Sequence, residues 1–308
     1  MAGARVVCLL GATGTGKTEA AIALAAAFDG EVVNVDSRQV YAGIPIITAQ
    51  PTPDELARCP HHLYGDTPLD KTVAAGDFAV RARAAAAAIH ARGRLPLFVG
   101  GTGLYFRAIL GGLAPIPAIA PDVRAAVLAD WERLGPAAMH AKLAALDPAY
   151  AARIAPADRQ RVTRALEVSQ ATGRAFSDWH KQGDPDAPDY DVVKIGLSLP
   201  LEELIPRLAQ RIEAMVAAEA VAEVARALAR YPADAPGLTG IGGPEIAAHL
   251  AGVRNLKETK EAWLSNTRAY AKRQATWFRK EPAVLWLAPG DHQGIRDAVG
   301  RHFARQGA

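Results

Sequence analysis

The stretch from Gly11 to Thr18 reads Gly-Ala-Thr-Gly-Thr-Gly-Lys-Thr. An apolar run, Val6 to Leu10, precedes it, and an alanine-rich helical pattern begins near Glu19. The spacing G-x-x-x-x-G-K-[ST] between a strand and a helix is typical of a P-loop, in which successive backbone N–H groups turn toward one anion. The sequence therefore predicts a site for a diphosphate or triphosphate, such as that of a nucleotide like ATP, formed by Gly11, Ala12, Thr13, Gly14, Thr15, Gly16, Lys17 and Thr18.

Two further apolar runs end at turns that favour ligand binding. Glu31 to Val35 leads into Asp36-Ser37-Arg38, the Asp36 turn, and Leu95 to Val99 leads into Gly100-Gly101-Thr102-Gly103, the glycine turn. Apolar runs that alternate with helical stretches are typical of a parallel sheet, and ligands bind at the carboxyl ends of its strands. We therefore predict an α/β fold with a P-loop NTPase-like parallel sheet flanked by helices, and three turns that converge on one crevice.

The pattern changes in the middle of the chain. Segments rich in glycine and proline lie at 111–121 and at 183–188. Between them the apolar spacing predicts helices over 122–134, 136–146 and 158–172, and after them a strand over 192–199 and one helix over 201–230. We expect two domains, a P-loop core of residues 1–117 and 191–308 and a helical insertion domain of residues 118–190.

Composition narrows the class of protein further. Half of the 308 residues are apolar, which is enough for a sizeable core, and no run reaches the length of a membrane span. Cys8 and Cys59 are the only cysteines, and their spacing favours neither a disulfide nor a zinc site. The adjacent His61 and His62 would point in different directions on a regular element, which favours structural roles over a shared metal. We expect a soluble cytoplasmic protein that does not contact a membrane.

Basic residues are unevenly distributed although the net charge is only +3. One basic segment runs from Ala151 to Gly183. A second, from Arg254 to Lys280, also carries the aromatic residues Trp263, Tyr270, Trp277 and Phe278. Basic residues among aromatics suit phosphate contact and base stacking, and they equally suit an amphipathic helix with aromatic residues in the core and solvated charges outside. The residues alone leave both interpretations open.

Motifs along almost the whole chain resemble one family, the tRNA dimethylallyltransferases, also called tRNA isopentenyltransferases or IPP transferases. The matching stretches are the P-loop, Val35 to Tyr41, His61 to Leu63, Gly100 to Phe106, Arg161 to Val168 with Thr172-Gly173, Arg207 to Met215 and Tyr270 to Arg279. The resemblance implies a prenyltransferase. Its reaction would move a dimethylallyl group from dimethylallyl diphosphate to the N6 amine of the adenosine on the 3′ side of the anticodon, releasing diphosphate. We expect a monomer that binds the anticodon stem-loop of tRNA and uses Mg²⁺.

Candidate catalytic residues follow from that chemistry. The adenine amine is a poor nucleophile, so a carboxylate must accept its proton, and Asp36 at the end of the second strand is the candidate base. A Walker-type carboxylate that holds Mg²⁺ through water is the alternative role for Asp36. Fixed donors around the departing diphosphate lower the barrier, and Lys17, Thr18 and Arg211 suit that task, with Mg²⁺ bridging Thr18 and the diphosphate. Thr102 would hydrogen-bond the phosphate or the amine.

The resemblance also implies contacts with tRNA. The base must leave its stack, and the residues that would line the pocket for it are Asp36, Ser37, Arg38, Gln39 and Thr102. The residues of the insertion that would contact tRNA are Arg124, Gln160, Arg161, Val162, Thr163 and Arg164.

The chain departs from the family pattern at three places. Gln50 stands where a lysine is usual, Glu219 where a glycine is usual, and Gly243-Pro244 where an aromatic residue and a cation are usual. We expect altered tRNA contacts or packing there rather than lost chemistry.

Two other functions remain possible on the residues alone. A small-molecule or nucleoside kinase would use the same P-loop, Mg²⁺ and an aspartate at the second strand, and it would consume ATP. It leaves the basic segments unexplained. A non-enzymatic RNA-binding module leaves the P-loop and Asp36 unexplained.

Overall fold

The computed structural model of the protein describes residues 3–183 and 187–305. The chain forms two compact units, one made of the residues up to Leu110 and from Asp189 onward, the other of Gly111–Pro188. The predicted core included residues 111–117, whereas these residues belong to the helical unit, because the connection that they begin packs its Ile116 and Ile119 against that unit's own core. Asp184 to Asp186, part of the predicted turn-rich segment, lie outside the described residues.

Within the described residues the first unit contains one six-stranded sheet in the order β3-β2-β4-β1-β5-β6. All of its neighbouring strands pair in parallel. The strands are β1 (Ala4–Gly11), β2 (Gly30–Asn34), β3 (His61–His62), β4 (Leu95–Gly100), β5 (Tyr190–Leu197) and β6 (Val284–Leu287). The parallel sheet and four of its strands were predicted correctly. Strand β1 pairs with β4 and β5, which places the P-loop at the centre of the sheet.

The helices surround the sheet or form the second unit. In chain order they are α1 (Lys17–Phe28), α2 (Pro45–Thr48), α3 (Pro53–Arg58), α4 (Ala75–Ala91), α5 (Gly103–Gly111), α6 (Pro121–Leu146), α7 (Pro148–Ala151), α8 (Arg159–Thr172), α9 (Phe176–His180), α10 (Leu201–Ala217), α11 (Ala220–Leu228), α12 (Gly243–Leu250), α13 (Leu256–Phe278) and α14 (His292–Arg305). Across residues 3–183 and 187–305, no helix has both the length and the apolar character needed to cross a bilayer.

The core explains why the apolar runs become strands. Val6 to Leu10 are all buried, which is typical of a central parallel strand covered by helices on both faces. One side of the sheet packs against α1 and α14, where Leu24 and Val299 belong to the same apolar cluster as Leu9 and Ile195.

The second unit has its own core. Gly135 interrupts α6 with φ 78° and ψ 169°, so α6 consists of the two helices that were predicted on either side of it. Helix α8 begins after Asp158, whose carboxylate accepts a hydrogen bond from the Arg161 N–H at 3.1 Å, and ends at Gly173, as predicted. Trp131 and Leu166 are among the buried residues that join α6 and α8.

The single helix predicted over 201–230 is wrong. The structure has two helices, α10 and α11, separated by Ala218 and Glu219. Glu219 adopts the left-handed conformation with φ 70° and ψ 31°, which ends α10. Glutamate favours helices in general, so the sequence carried no local signal for this break. The family's glycine at this position suits the observed backbone, because glycine adopts a positive φ without strain.

We therefore expect Glu219→Gly to raise the free energy of unfolding by about 1 kcal/mol, because it removes the strain of a side chain at positive φ. The control is Ala217→Gly, at the end of α10, which should lower it by about 0.5–1 kcal/mol, since glycine weakens a helical position. Urea unfolding of both variants measures the difference. Equal destabilisation by the two substitutions would contradict the strain argument.

A buried carboxylate lies at the other end of the sheet from the P-loop. Glu31 of β2 is 2% exposed and contacts Arg92 at 2.5 Å and His62 at 2.6 Å. Burial alone would raise the pKa of Glu31, but the hydrogen bonds from Arg92 and His62 outweigh it and lower the pKa to about 2. The charged form of Glu31 therefore stabilises the folded state at neutral pH.

Glu31→Gln should lower the free energy of unfolding by about 2 kcal/mol at pH 7, allowing for the half-exposed arginine. Because the folded pKa of Glu31 lies below the ordinary value of 4.5, this stabilisation is complete above pH 4.5 and is lost as the pH falls toward 2. Unfolding of the protein and the variant at pH 7 and pH 3 measures it. A difference that does not shrink with falling pH would contradict the assignment.

Candidate active site

A cavity of about 1010 Å³ opens at the carboxyl ends of the strands. Its walls come from the P-loop, the Asp36 turn and Gly100, and from helices α10 and α13. The P-loop and the Asp36 turn therefore meet at one cavity as predicted, while only Gly100 of the glycine turn lines it. The residues that carry charge or hydrogen-bonding groups into it include Lys17, Thr18, Asp36, Arg38, Arg207, Arg211 and Tyr270.

The P-loop is held in a defined shape. The Thr15 hydroxyl is buried and donates to the Ala12 carbonyl at 2.8 Å. Gly14 adopts φ +82°, and a Cβ there would lie 2.8 Å from Leu208 of α10, so the loop and that helix approach each other closely. The Lys17 ammonium donates to the carbonyls of Gly11 at 3.0 Å and Ala12 at 2.8 Å.

Two cations face the cavity in a poorly hydrated setting. Burial lowers the pKa of Lys17 to about 8, an effect that Asp36 opposes and Arg211 reinforces. Burial also lowers the pKa of Arg211, and Asp36 opposes it. The Arg211 guanidinium donates to the Thr13 hydroxyl at 3.2 Å, so it lies directly against the P-loop. Two desolvated cations near one carboxylate favour the binding of a multiply charged anion.

Asp36 is fixed by its own turn and by a buried asparagine. Its Oδ1 accepts a hydrogen bond from the Arg38 N–H at 2.8 Å. Asn34, fully buried, accepts from the Asp36 N–H at 2.9 Å and donates to the Asp36 carbonyl at 3.1 Å. Asn34 was not predicted, although a polar residue inside an apolar strand run is a usable signal. These bonds orient the carboxylate at the cavity wall.

Thr102 is not among the residues that line the cavity. Its hydroxyl accepts a hydrogen bond from the Ser37 N–H at 3.0 Å and donates one to the Ser37 hydroxyl at 3.4 Å. The structure therefore gives Thr102 a role behind the wall, where it holds the Asp36 turn. Its predicted direct contact with a phosphate or an amine stays a prediction, and in the structure the side chain is turned toward Ser37.

The residues after Asp36 anchor neighbouring segments. Arg38 donates to the Pro236 carbonyl at 2.9 Å, and Gln39 donates to the Ala49 carbonyl at 2.5 Å. Gln50, which replaces the family's usual lysine, lines the cavity and donates to the Tyr41 carbonyl at 2.8 Å. The departure at this position thus exchanges a charge for a hydrogen bond within the segment.

Glu223 is a second supporting residue that was not predicted. Its buried carboxylate accepts hydrogen bonds from the N–H groups of Ile46 at 2.8 Å and Ile47 at 2.9 Å. Burial raises the pKa of Glu223, and those two hydrogen bonds oppose the rise. Because Ile46 and Ile47 line the cavity, Glu223 fixes part of its wall from α11.

The glycine turn is shaped by close packing against α13. A Cβ on Gly101 would lie 2.1 Å from the Gln274 Nε2, and one on Gly103 would lie 1.9 Å from the Trp277 Nε1. Helix α13 is amphipathic, with Trp263 and Phe278 buried. Its exposed face carries Arg268, Lys272 and Arg273, and the exposed Arg279 and Lys280 follow its last residue. Two of the four aromatic residues are therefore core residues of an amphipathic helix. The basic residues on its exposed face remain available to a ligand.

Gln274 was not predicted either, and its carboxamide bonds to both the P-loop and the glycine turn. Its Oε1 accepts a hydrogen bond from the Thr13 N–H at 2.9 Å, and its Nε2 donates to the Gly101 carbonyl at 2.8 Å. The position of Gln274 in the helix could have predicted its burial, because it lies on the same helical stripe as Ala271 and Phe278, which are buried. The predicted phosphate cradle included the Thr13 N–H, which the structure pairs with Gln274 instead.

Some of the insertion residues that were predicted to contact tRNA are exposed, and others are buried. Gln160, Arg161 and Arg164 are exposed on α8. Val162 is fully buried, and the buried Thr163 donates its hydroxyl to the Arg159 carbonyl at 2.8 Å. The expectation for the Val162 and Thr163 side chains is therefore corrected, since they belong to the core of the helical unit.

A buried glutamate holds two arginines of this group. Arg124 lies 3.9 Å and Arg164 3.3 Å from Glu167 of α8. Both arginines are exposed, so their guanidinium groups lie at the surface of the helical unit.

The departure at Gly243 is one of packing. A Cβ there would lie 2.2 Å from the Leu238 carbonyl oxygen, so the observed backbone has no room for the family's usual aromatic side chain. Pro244 lies in the first turn of α12, where its missing N–H costs nothing.

The adjacent histidines have separate structural partners, as predicted. His61 Nδ1 lies 2.8 Å from the Cys59 carbonyl oxygen, while His62 contacts Glu31. Within the part of the chain that the structure describes, no group of three or more histidine, cysteine, aspartate or glutamate residues is arranged to hold a metal.

These features define a class of protein: a P-loop α/β protein whose cavity combines anion-binding cations with a fixed carboxylate. Comparison with known proteins identifies the family, because the family model described as IPP transferase matches residues 39–281. A relative from Nitratidesulfovibrio vulgaris, named tRNA dimethylallyltransferase, is 51% identical over 98% of both chains. Another from Desulfovibrio desulfuricans, with the same name, is 51% identical and covers 96% of this chain and 91% of its own. The chain belongs to the IPP transferase family.

Solved structures agree in fold. A tRNA isopentenylpyrophosphate transferase from Bacillus halodurans matches with a TM-score of 0.71 at 33% identity and covers 99% of both chains. A eukaryotic dimethylallyltransferase, described as acting on tRNA, matches with a TM-score of 0.78 at 27% identity, over 97% of this chain and 77% of its own. The predicted α/β fold, family and prenyltransferase class are confirmed, and the kinase alternative is not favoured.

Proposed function

We propose that the protein transfers a dimethylallyl group from dimethylallyl diphosphate to the N6 amine of the adenosine that follows the anticodon in tRNA. The observation that carries the proposal is that Lys17, Arg211 and Asp36 line one cavity. Two cations suit a leaving diphosphate, and a carboxylate suits the proton of the acceptor amine. The 51% identity to proteins named tRNA dimethylallyltransferase supports the same reaction.

The proposed reaction is a substitution at the first carbon of the dimethylallyl group. A bond forms between N6 and this carbon as the bond from the carbon to the diphosphate oxygen breaks, and diphosphate leaves with the electron pair. N6 loses one proton, which the Asp36 carboxylate accepts. The hydrogen bond from the Arg38 N–H keeps Asp36 in one orientation, which lowers the entropic cost of the proton transfer.

Lys17 and Arg211 stabilise the charge that develops on the leaving diphosphate. Both are pre-positioned, Lys17 by loop carbonyls and Arg211 by the Thr13 hydroxyl, so little reorganisation accompanies the reaction. The N–H groups from Gly14 to Lys17 complete the proposed cradle, without that of Thr13, which is bonded to Gln274.

The chain offers a fitting site for Mg²⁺. The Thr18 hydroxyl lines the cavity beside Lys17, and a hydroxyl is the hard oxygen donor that Mg²⁺ prefers. Mg²⁺ in such sites takes one or two protein ligands and completes its shell with phosphate oxygens and water, so Thr18 alone suffices as a direct ligand. When bound, the ion would neutralise part of the diphosphate charge.

Two groups of residues are proposed to contact the acceptor tRNA. Ser37, Arg38 and Gln39 line the cavity next to Asp36, where an extruded adenine would lie. In the helical unit, exposed Arg124, Gln160, Arg161 and Arg164 would contact the phosphates of the anticodon stem-loop. Because one chain carries the proposed base and both proposed diphosphate-binding cations in a single cavity, we propose that the enzyme acts as a monomer on tRNA in the cytoplasm.

A mass measurement on RNA tests the proposal. The protein is incubated with Mg²⁺ and an unmodified anticodon stem-loop, and with either dimethylallyl diphosphate or ATP. We expect the RNA to gain one C₅H₈ unit with dimethylallyl diphosphate alone. RNA that gains no mass there, with ATP consumed when a small acceptor is added, would overturn the proposal and favour a kinase.

A further inference from the structure

We propose that Gln274 is a positioning residue that fixes the P-loop relative to the glycine turn through a single carboxamide. The inference rests on the function proposed above. Gln274 is 5% exposed, so its carboxamide is withdrawn from water. Both of its polar ends are nevertheless bonded, the oxygen to the Thr13 N–H at 2.9 Å and the nitrogen to the Gly101 carbonyl at 2.8 Å.

On the donor side, the carboxamide determines where a P-loop residue lies. Thr13 bonds to Gln274 through its backbone and accepts from Arg211 through its hydroxyl at 3.2 Å. A shift of Thr13 therefore displaces the guanidinium that we assign to the leaving diphosphate. Loss of the Gln274 carboxamide would therefore disturb the diphosphate site, although Gln274 itself is not among the residues that line the cavity.

On the acceptor side, the same carboxamide holds the residue before Thr102. The Thr102 N–H donates to the Val35 carbonyl at 3.2 Å, and the Thr102 hydroxyl accepts from the Ser37 N–H at 3.0 Å. The position of Gly101 is thereby coupled to the Asp36 turn. One side chain links the residues that bind the donor to those that orient the base.

The turn is built to admit this carboxamide. A Cβ on Gly101 would lie 2.1 Å from the Gln274 Nε2, so a side chain at that position would exclude the hydrogen bond. An apolar residue would fill the same volume and leave the Thr13 N–H and the Gly101 carbonyl without partners. Packing alone therefore does not account for a glutamine here, because burying a carboxamide is favourable only when both of its ends are bonded.

Two variants test the proposal. Gln274→Met keeps the volume and removes both hydrogen bonds. We expect it to weaken the affinity for dimethylallyl diphosphate, measured by calorimetry without tRNA, by about tenfold. We expect kcat/KM to fall on the order of 10²-fold while tRNA affinity stays unchanged.

Gln274→Glu separates positioning from packing by its pH dependence. The carboxylate accepts from the Thr13 N–H but cannot donate to the Gly101 carbonyl, whereas the protonated acid does both. We therefore expect the affinity of this variant for dimethylallyl diphosphate, divided by that of the native protein, to rise as the pH falls from 9 to 6. A buried glutamate titrates within about these three pH units. The same ratio for Gln274→Met should stay flat.

Phe278→Leu is the matched control, since Phe278 is buried one helical turn further along α13 and packs against Phe106 of α5. It should lower stability without changing kcat/KM. Diphosphate affinity and kcat/KM of Gln274→Met within about threefold of the native values would overturn the inference, as would a flat pH ratio for Gln274→Glu. Native protein that binds the diphosphate but transfers nothing would instead refute the proposed function, because the binding experiment needs no turnover.

Discussion

Asp36→Asn should lower the single-turnover rate of dimethylallyl transfer by on the order of 10³-fold, the range expected for a lost general base. Asparagine has the same shape and keeps an oxygen for the Arg38 N–H, which Asp36 now bonds at 2.8 Å. It cannot accept the proton of the amine. The affinity for tRNA, measured by filter binding, should stay within about twofold, because a neutral isostere preserves the wall of the cavity.

Asp66→Asn is the control, because Asp66 also follows a strand but pairs with Arg81 and does not line the cavity. Its transfer rate should match that of the native protein. A rate for Asp36→Asn within about threefold of native would contradict the assignment of the base. Recovery of the Asp36→Asn rate at high Mg²⁺ would favour the Walker-type role instead.

Affinity for dimethylallyl diphosphate should fall as the pH rises above about 8, the pKa of Lys17 in the ligand-free protein. The protonated ammonium pairs with the diphosphate, so above that pH binding must take up a proton. The dissociation constant should then increase about tenfold per pH unit. Below pH 8 the lysine is already charged, and this contribution to the affinity is constant.

Lys17→Met should weaken the same affinity on the order of 10²-fold at pH 7, because it removes charged hydrogen bonds to the phosphates. It should also abolish the fall above pH 8, which assigns that fall to Lys17. Lys142→Met removes a lysine of the helical unit that pairs with Asp130, and it should leave the affinity unchanged. Calorimetry from pH 6 to 10 measures all three proteins, and an identical fall in Lys17→Met would show that another group titrates.

The strands that form the centre of the sheet were predictable because they are buried on both faces and read as apolar runs. Strand β6 was missed because Leu285 and Trp286 are 46% and 39% exposed at the edge of the sheet, which leaves no pattern of burial. Strand β3 is only two residues long. The break at Glu219 was missed because it depends on backbone conformation at a residue type that favours helices.

The P-loop and Asp36 were predictable because their chemistry is local to a short motif. The supporting residues were not, since they act through partners that are distant in the chain. Gln274 bonds residues 261 and 173 positions away, and Glu223 bonds residues of α2 that are 176 and 177 positions away. Only folding brings such pairs together. Folding also buries the Val162 side chain, which is therefore not exposed to contact RNA.

The most direct test of the central claim is a nucleoside digest of stem-loop RNA after reaction with dimethylallyl diphosphate and the protein. The account predicts one new nucleoside, adenosine carrying a C₅H₈ unit on N6, located at the residue that follows the anticodon. Its yield should equal the amount of diphosphate released. Unmodified adenosine with intact donor, or a modification on another base, would contradict the account.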